Sequence, residues 1–518
     1  MKNLFCRLLW LVLLDLSVAF ASCGQLNKQT APQEPSAQNE AHFDSTQIAT
    51  FLLSYPKLIH YENELREFYR KRNFTYVWYQ DHKLIEQVGT LQNRLRNLAE
   101  DGVYKKLSYL TILDSLVQES NGNLKPNTQL ELLLTSEYFV FSNLVWNGMI
   151  PSVSKTNNWL LPRKKVSYDL YLDSLLQALD SNSTEFKAPV YRQYELLKAA
   201  LKKYTKLDSA DMWKPISSSS EVRSRLIQLG DFTDTLRDSI DTLALQSAIV
   251  RFQERHGLRP NGLLDKATLD ELNVPLKSRI RQIVVNMERS RWLPITTVGT
   301  YVAINIPEFQ MHVYRADSLL WSSNAVVGRV ANATTLFYGE INQVVFSPYW
   351  NVPESIVRKE ILPRIKKDEE YLSKHNMEIV GQRNGLPVIR QRPGSSNALG
   401  LVKFLFPNSY SIYLHDSPQK SLFNEYDRAF SHGCIRIREP EKLAALLLNT
   451  DKKWDNNSIS VAMHSGREKV VPISRKVPVY IVYMTAFIDR KNQLNFRKDI
   501  YQLDDRLAST IISGESSY

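Results

Sequence analysis

Cysteine is nearly absent: the 518 residues hold three, Cys6, Cys23 and Cys434, too few and too far apart for a disulfide-stapled scaffold. Glycine, at 18 residues, is too sparse for a collagen-like repeat, and 43% hydrophobic with 10% aromatic residues excludes a disordered or low-complexity chain. Long hydrophobic runs are missing beyond the N-terminus. The uncharged stretch Tyr138 to Ser154 contains Ser142, Asn143, Asn147, Gly148 and Pro151, so it reads as buried helix plus turn rather than a membrane span. The charge excess is modest, 65 Lys and Arg against 54 Asp and Glu, a net of +11. Nucleic-acid binding has only that charge in its favour and no recognition motif, so no nucleic-acid partner is expected. The length predicts about three or four domains, and an odd number of cysteines leaves at least one thiol unpaired.

At the N-terminus, Lys2 and Arg7 precede a mostly apolar run, Leu8 to Phe20, interrupted by Asp15. This is the pattern of an export signal, expected over residues 1–22. Phe20-Ala21-Ser22-Cys23-Gly24 resembles the lipobox of bacterial lipoproteins, with Phe20 where that pattern usually has Leu. The resemblance implies lipidation at Cys23 and a membrane anchor, in an inner or outer membrane. Cleavage at Ala19-Phe20-Ala21 is the rival, leaving Cys23 a plain thiol, and an uncleaved anchor is the third option. Loss of residues 1–22 lowers the net charge by one, to +10. Residues 23–45 have the polar, Gln-, Asn- and Pro-rich composition of a flexible tether reaching at most roughly 70 Å.

Residues 46–220 show helical periodicity and predict an all-α scaffold. Thr128 with Glu131 reads as a capping box, Tyr194, Leu197, Leu201 and Tyr204 recur at helical spacing, and Phe68, Tyr69, Phe74 and Trp78 are candidate core. Ser217 to Ser220 reads as a linker. Residues 224–275 predict a compact helical unit: Leu245, Ile249 and Phe252 form one stripe, Gly257 a helix stop, and Asp265 a cap before Leu269 and Leu272. The string over residues 245–275 resembles the small three-helix peptidoglycan-binding domain of cell-wall enzymes; a plain packing spacer is the alternative. After a basic stretch (Lys277, Arg279, Arg281, Arg289, Arg291 against Glu288), the period switches to strands at Tyr301 to Ile306, Gln310 to Tyr314, Asn342 to Phe346, Ser411 to Leu414 and Val479 to Phe487. Residues 298–508 thus predict a mainly-β domain. Within it, 351–390 reads as a charged helical insertion of the kind that serves as a lid.

The segment richest in chemistry is Ile412-Tyr413-Leu414-His415-Asp416-Ser417, followed, fifteen residues beyond His415, by Ser431-His432-Gly433-Cys434-Ile435-Arg436-Ile437. A thiol becomes a nucleophile when a nearby imidazole can take its proton. Cys434 follows a glycine and opens an alternating strand, where its backbone N–H is available to a developing oxyanion. Three other readings stand beside this one: a buried structural thiol, a zinc site from His415, His432 and Cys434, and a disulfide from Cys434 to Cys23.

The spacing His-x15-Ser-His-Gly-Cys-Ile-Arg, with IYLHDSP and the upstream FSPYWNVPESI, closely resembles the L,D-transpeptidase catalytic domain, in particular the large periplasmic branch with a lid inserted after PYWNVP. With the peptidoglycan-binding unit and the scaffold, the likeness spans about residues 50 to 508. It implies Cys434 as nucleophile and His415 as general base, oriented by a backbone carbonyl, that of Asp416. It implies an oxyanion hole from the N–H groups of Gly433 and Cys434. Substrate contacts would involve Arg436, where many relatives carry Asn, and His432, Asp416, Tyr413, Trp350 and Asn351, the last two near the lid hinge. The implied reaction joins peptidoglycan stem peptides by 3→3 cross-links through a thioester, with D-Ala leaving a tetrapeptide and no metal or organic cofactor. With water as acceptor the same site is an L,D-carboxypeptidase, and with a protein amine it anchors wall proteins. A catalytically silent peptidoglycan-binding lipoprotein is the reading from another class.

Overall fold

The computed structural model describes residues 41–120, 125–177, 188–209, 213–216, 218–232, 242–295 and 298–513. The expected signal segment, Cys6, Cys23 and the tether as far as residue 40 lie outside the described residues. Within them the chain forms an N-terminal helical region, a small helical unit and a C-terminal mainly-β body, the multidomain order expected from its periodicities.

The helical region is built around α1 (Thr128–Ser142), which is buried on nearly every side. Its cap differs from expectation. Asn127, not Thr128, is the N-cap, and its side chain accepts from the Leu130 N–H. This shift of one residue moves Glu131 past the capping position and into the core. There it accepts hydrogen bonds from the Tyr69 hydroxyl and the backbone N–H groups of Val77 and Trp78, while burial pushes its pKa up to about 7. The stripe Tyr194, Leu197, Leu201 and Tyr204 on α2 (Gln193–Ser209) is buried as its period requires.

Where Ser217 to Ser220 was expected to be a linker, Ser218 and Glu221 make a capping box that starts α3 (Ser219–Leu229). The small unit continues with α4 (Thr242–Arg255), a stop at Gly257 with φ 65°, and α5 (Lys266–Leu272), capped by Asp265 accepting from the Thr268 N–H. It is docked firmly on the β body. The His256 ring lies between Phe252, at 3.9 Å, and Phe496, at 5.5 Å, and Arg497 donates to the Arg255 carbonyl at 2.7 Å.

The basic stretch forms α6 (Leu276–Trp292), and three of its arginines turn inward while Lys277 and Arg281 stay exposed. Arg279, Arg289 and Arg291 are buried and paired with Glu271, Asp504 and Glu288. Glu288 also accepts from the Trp292 indole and the Met149 N–H, so this helix ties the scaffold to the β body through groups that cannot be left single without a large desolvation cost.

The β body is a sheet closed on itself. Its strands are β1 (Thr300–Asn305), β2 (Gln310–Arg315), β3 (Ser318–Gly328), β4 (Leu336–Phe346), β5 (Val402–Leu405), β6 (Leu414–His415), β7 (Ile435–Ile437) and β8 (Lys469–Val482). Their hydrogen-bonded order runs β5-β6-β7-β3-β2-β1-β8-β4, and β4 returns to pair with β5. The scaffold contributes Trp159–Leu160 as a parallel partner to Leu336 and Phe337 on β4. The expected strand from Ser411 shrinks to Leu414–His415, because Ser411 has φ 57°, outside extended backbone.

The lid departs from the expected helical insertion. It has helical turns from Glu354 to Ile365 and at Tyr371–Lys374, followed by a hairpin, Met377–Arg383 with Leu386–Gln391, that pairs with Trp350–Asn351 in a three-stranded sheet. The hairpin turns at Asn384-Gly385, with φ 52° and 73°, an Asn-Gly signal masked in the sequence by the charges before it.

Candidate active site

The parallel strands β6 and β7 are in register with Leu414 opposite Ile435 and His415 opposite Arg436. Leu414, Ile435 and Ile437 are fully buried. Strand alternation therefore puts Tyr413, His415, Cys434 and Arg436 together on the opposite face.

His415 is buried, and its Nδ1 lies 2.5 Å from the Asp416 carbonyl oxygen. A carbonyl only accepts, so the proton sits on Nδ1 and Nε2 keeps its lone pair. Burial, with the Arg436 guanidinium nearby, pushes the imidazole down to about 3, leaving it neutral at neutral pH. Asp416 is fixed in turn. Its carboxylate accepts from the Leu401 N–H at 2.9 Å and pairs with Lys420, and its own N–H donates to the Val402 carbonyl at 2.9 Å.

Cys434 is a free, partly buried thiol whose Sγ is 3.6 Å from the Ser411 carbonyl. Burial pushes the thiol up, opposed by hydrogen bonds from the Tyr413 N–H and hydroxyl and by the charge of Arg436. Tyr413 is raised by its own burial and by the adjacent sulfur, and its ring lies 5.7 Å from that of His415. Arg436 donates to the Gln419 side chain at 2.9 Å, and its buried Nε has no hydrogen-bond partner. The Leu399 carbonyl also faces the His415 ring, and a neutral imidazole and a neutral thiol on the same face are the groups from which a base can take a proton as sulfur attacks.

The loop before Cys434 corrects one expectation. The Gly433 N–H donates to Ser431 Oγ at 3.0 Å, and Ser431 Oγ donates to the Cys434 carbonyl at 2.6 Å. Only the Cys434 N–H of the two expected donors is without an internal acceptor among the described residues. Gly433 itself has φ 115°, a conformation that excludes side chains, and its carbonyl accepts from Thr334 Oγ1 at 2.8 Å. Thr334 is held by the Tyr501 hydroxyl, 3.2 Å from its N–H, and that hydroxyl donates to the Gly328 carbonyl at 2.6 Å.

His432 reaches the lid, its Nε2 2.7 Å from Glu360 and 3.2 Å from Arg329. Trp350 packs against the lid's own small core of Val352, Ile356, Val357, Ile361, Tyr371 and Ile389, and Asn351 is exposed at the lid base. The lidward partners Glu360 and Arg329, and the supports Thr334 and Tyr501, carry no local motif; only folding brings them to the Gly433 loop, whereas Ser431 stands in the Ser-His-Gly-Cys motif itself. Among the described residues no group of three or more His, Cys, Asp or Glu side chains is placed to hold a metal ion, and no helix is long and apolar enough to cross a membrane.

Three family models match the chain: a scaffold domain over residues 63–201, a peptidoglycan-binding domain over 217–272, and an L,D-transpeptidase catalytic domain over 299–477. A Haemophilus influenzae protein bearing the L,D-transpeptidase name is 32% identical over 243 residues, covering 44% of this chain and 49% of the relative. The chain thus spans about half the length of that relative. Solved structures with some likeness include the avibactam carbamoyl enzyme of Ldtfm, at 12% identity, TM-score 0.19 and coverage of 40% of this chain and 64% of that one. Another is an L,D-transpeptidase of Xylanimonas cellulosilytica, at 14% identity, TM-score 0.18 and coverage of 51% and 91%. At such TM-scores neither carries weight. The family models cover both strands of the thiol face, the lid, the scaffold and the docked unit, and it is residues 299–477, with the thiol face and the lid, that match the L,D-transpeptidase catalytic domain.

Proposed function

We propose that the protein is a cell-envelope L,D-transpeptidase that forms 3→3 peptidoglycan cross-links, held to its membrane by lipid at Cys23. The observation that carries this reading is the meeting of Cys434, His415 and Arg436 on one face of β6 and β7. The Cys434 sulfur attacks the carbonyl of the third, diamino residue of a tetrapeptide stem, and its proton passes to His415 Nε2. The C–N bond to D-Ala breaks, with that proton going to the leaving amine, and a thioester remains. An amine of a second stem attacks the thioester, loses a proton to His415 and releases the thiol. The Cys434 N–H stabilises the oxyanion of each tetrahedral intermediate. The unpartnered Arg436 Nε supports a role in holding a stem carboxylate.

Incubating the chain with purified tetrapeptide muropeptides and resolving products by mass spectrometry tests the reading. The expected result is dimer and free D-Ala, both lost in Cys434→Ala. Trimmed tripeptide alone means that water is the acceptor, and the enzyme is then a carboxypeptidase. Dimer formation unchanged by Cys434→Ala overturns the enzyme reading and leaves a peptidoglycan-binding protein.

A further inference from the structure

The barrel carries a second cavity, of about 320 Å³, whose walls share no residue with the thiol face. It opens on the outer side of β1, β2, β3 and β8, where the scaffold approaches at Tyr191 to Gln193 and the chain returns at Phe487 to Lys491. The outer face of a barrel strand is ordinarily polar, but four tyrosines gather here. Tyr301 and Tyr314 are cross-strand partners whose rings stack at 5.0 Å and 18°. Tyr480 meets Tyr301 edge-on at 5.8 Å, and Tyr191 stands close enough to raise the pKa of both stacked phenols beyond what their burial does. Ala303 on β1 lies among the cavity walls.

The acids and bases of the cavity are unequally engaged. Glu308 pairs with His312 at 3.0 Å. Asp489 is occupied by the backbone N–H groups of Lys491 and Gln493 and by the Asn495 amide. Arg192 and Arg490, by contrast, make no ion pair among the described residues, and the Arg490 guanidinium rests 5.3 Å from the centre of the Tyr314 ring. The result is an aromatic-walled hollow whose unpaired lining arginines are positive, with the carboxylate of Asp317 acting on Tyr191 and Tyr301 from outside the lining. Apolar walls with a few convergent polar groups are the usual form of a small-molecule site.

We propose that this cavity binds an amphipathic organic anion, a compact apolar or aromatic body lying against Tyr301, Tyr314 and Tyr480 with its anionic group at Arg192 and Arg490. The site is separate from the transpeptidase reading and stands or falls without it. Titrating the full chain with anilinonaphthalene sulfonate, followed by fluorescence, tests it. One saturable site is expected. The double variant Arg192→Gln/Arg490→Gln weakens binding by about tenfold or more, the effect of removing a charge-assisted contact. Ala303→Phe, which fills the hollow and leaves the charges in place, abolishes it. Melting curves show that the arginine variant, whose changes lie at the surface and the cavity mouth, remains folded. No saturable binding to the parent chain, or affinity in the arginine variant within about twofold of the parent, overturns the proposal.

Discussion

Glu360 of the lid lies 2.7 Å from Nε2 of His432, two positions before Cys434. The pair latches the lid to the loop that carries the candidate nucleophile. Arg329 faces the same nitrogen at 3.2 Å, and Nε2 serves one partner at a time: as N–H it donates to Glu360, and as a lone pair it accepts from Arg329. The two side chains are 36% and 34% exposed, so the pair is screened by water and weak, about 0–1 kcal/mol.

Such a latch biases the lid without locking it. Glu360→Gln is expected to raise the rate at which iodoacetamide alkylates Cys434 by up to about fivefold, the equivalent of about 1 kcal/mol. Mass spectrometry of the modified peptide reads it directly. A rate equal to or below that of the parent removes the latch.

Reactivity of the thiol carries a second expectation. His415 is neutral down to about pH 3 and the Cys434 thiol is held above its ordinary value. No histidine limb then shapes the pH profile between pH 5 and 8, and alkylation of Cys434 keeps rising with pH beyond the ordinary thiol value of about 8.5. A plateau reached near neutrality would indicate a thiolate–imidazolium pair instead.

The shared face of Cys434 and His415 was legible because both sit in short motifs whose alternation fixes their side; the closed barrel, by contrast, depends on β5 pairing with both β4 and β6, which no local pattern encodes. The partners of the α6 arginines were hidden for a related reason. Arg279, Arg289 and Arg291 look like surface charge until Glu271, Asp504 and Glu288 are brought to them from other parts of the helical unit, the C-terminus and the same helix. The Gly433 N–H was assigned to an oxyanion because sequence cannot show that Ser431 Oγ takes it first.

The share of stability that rests on the two buried histidines should fall in mild acid. His415 and His256 both have folded pKa values depressed by burial, and Arg255, Arg279 and Arg497 further oppose protonation of His256. Only the unfolded chain then takes up protons at these rings as pH drops below the unfolded value of about 6.5, so their contribution is intact at pH 7 and shrinks towards pH 4. Glu131 and Glu137, both raised to about 7 by burial, gain stability over the same range, so the histidine share is read by comparing variants in thermal melts from pH 7 to pH 5. Relative to the parent, the Tm of His256→Gln is expected to change in the stabilising direction as pH falls, and an identical pH dependence in that variant would mean that His256 is already charged in the folded protein.

Gly400 offers a test of how His415 is held. It has φ 63°, and a Cβ built there comes within 2.5 Å of the Asp416 Cγ. Ala at this position adds backbone strain of about 1–2 kcal/mol and also pushes Asp416 from the Leu401 N–H, moving the carbonyl on which His415 Nδ1 depends. Gly385, in the lid hairpin, has φ 73° with nothing within 4 Å of such a Cβ, so Gly385→Ala carries the strain without the clash. Gly400→Ala is expected to lower muropeptide turnover by about tenfold to a hundredfold, a cost of about 1.4–2.8 kcal/mol in the transition state, while Gly385→Ala stays close to the parent. Both variants should lose a few degrees of Tm. Equal turnover in the two variants would show that the Asp416 carbonyl is not what orients the base.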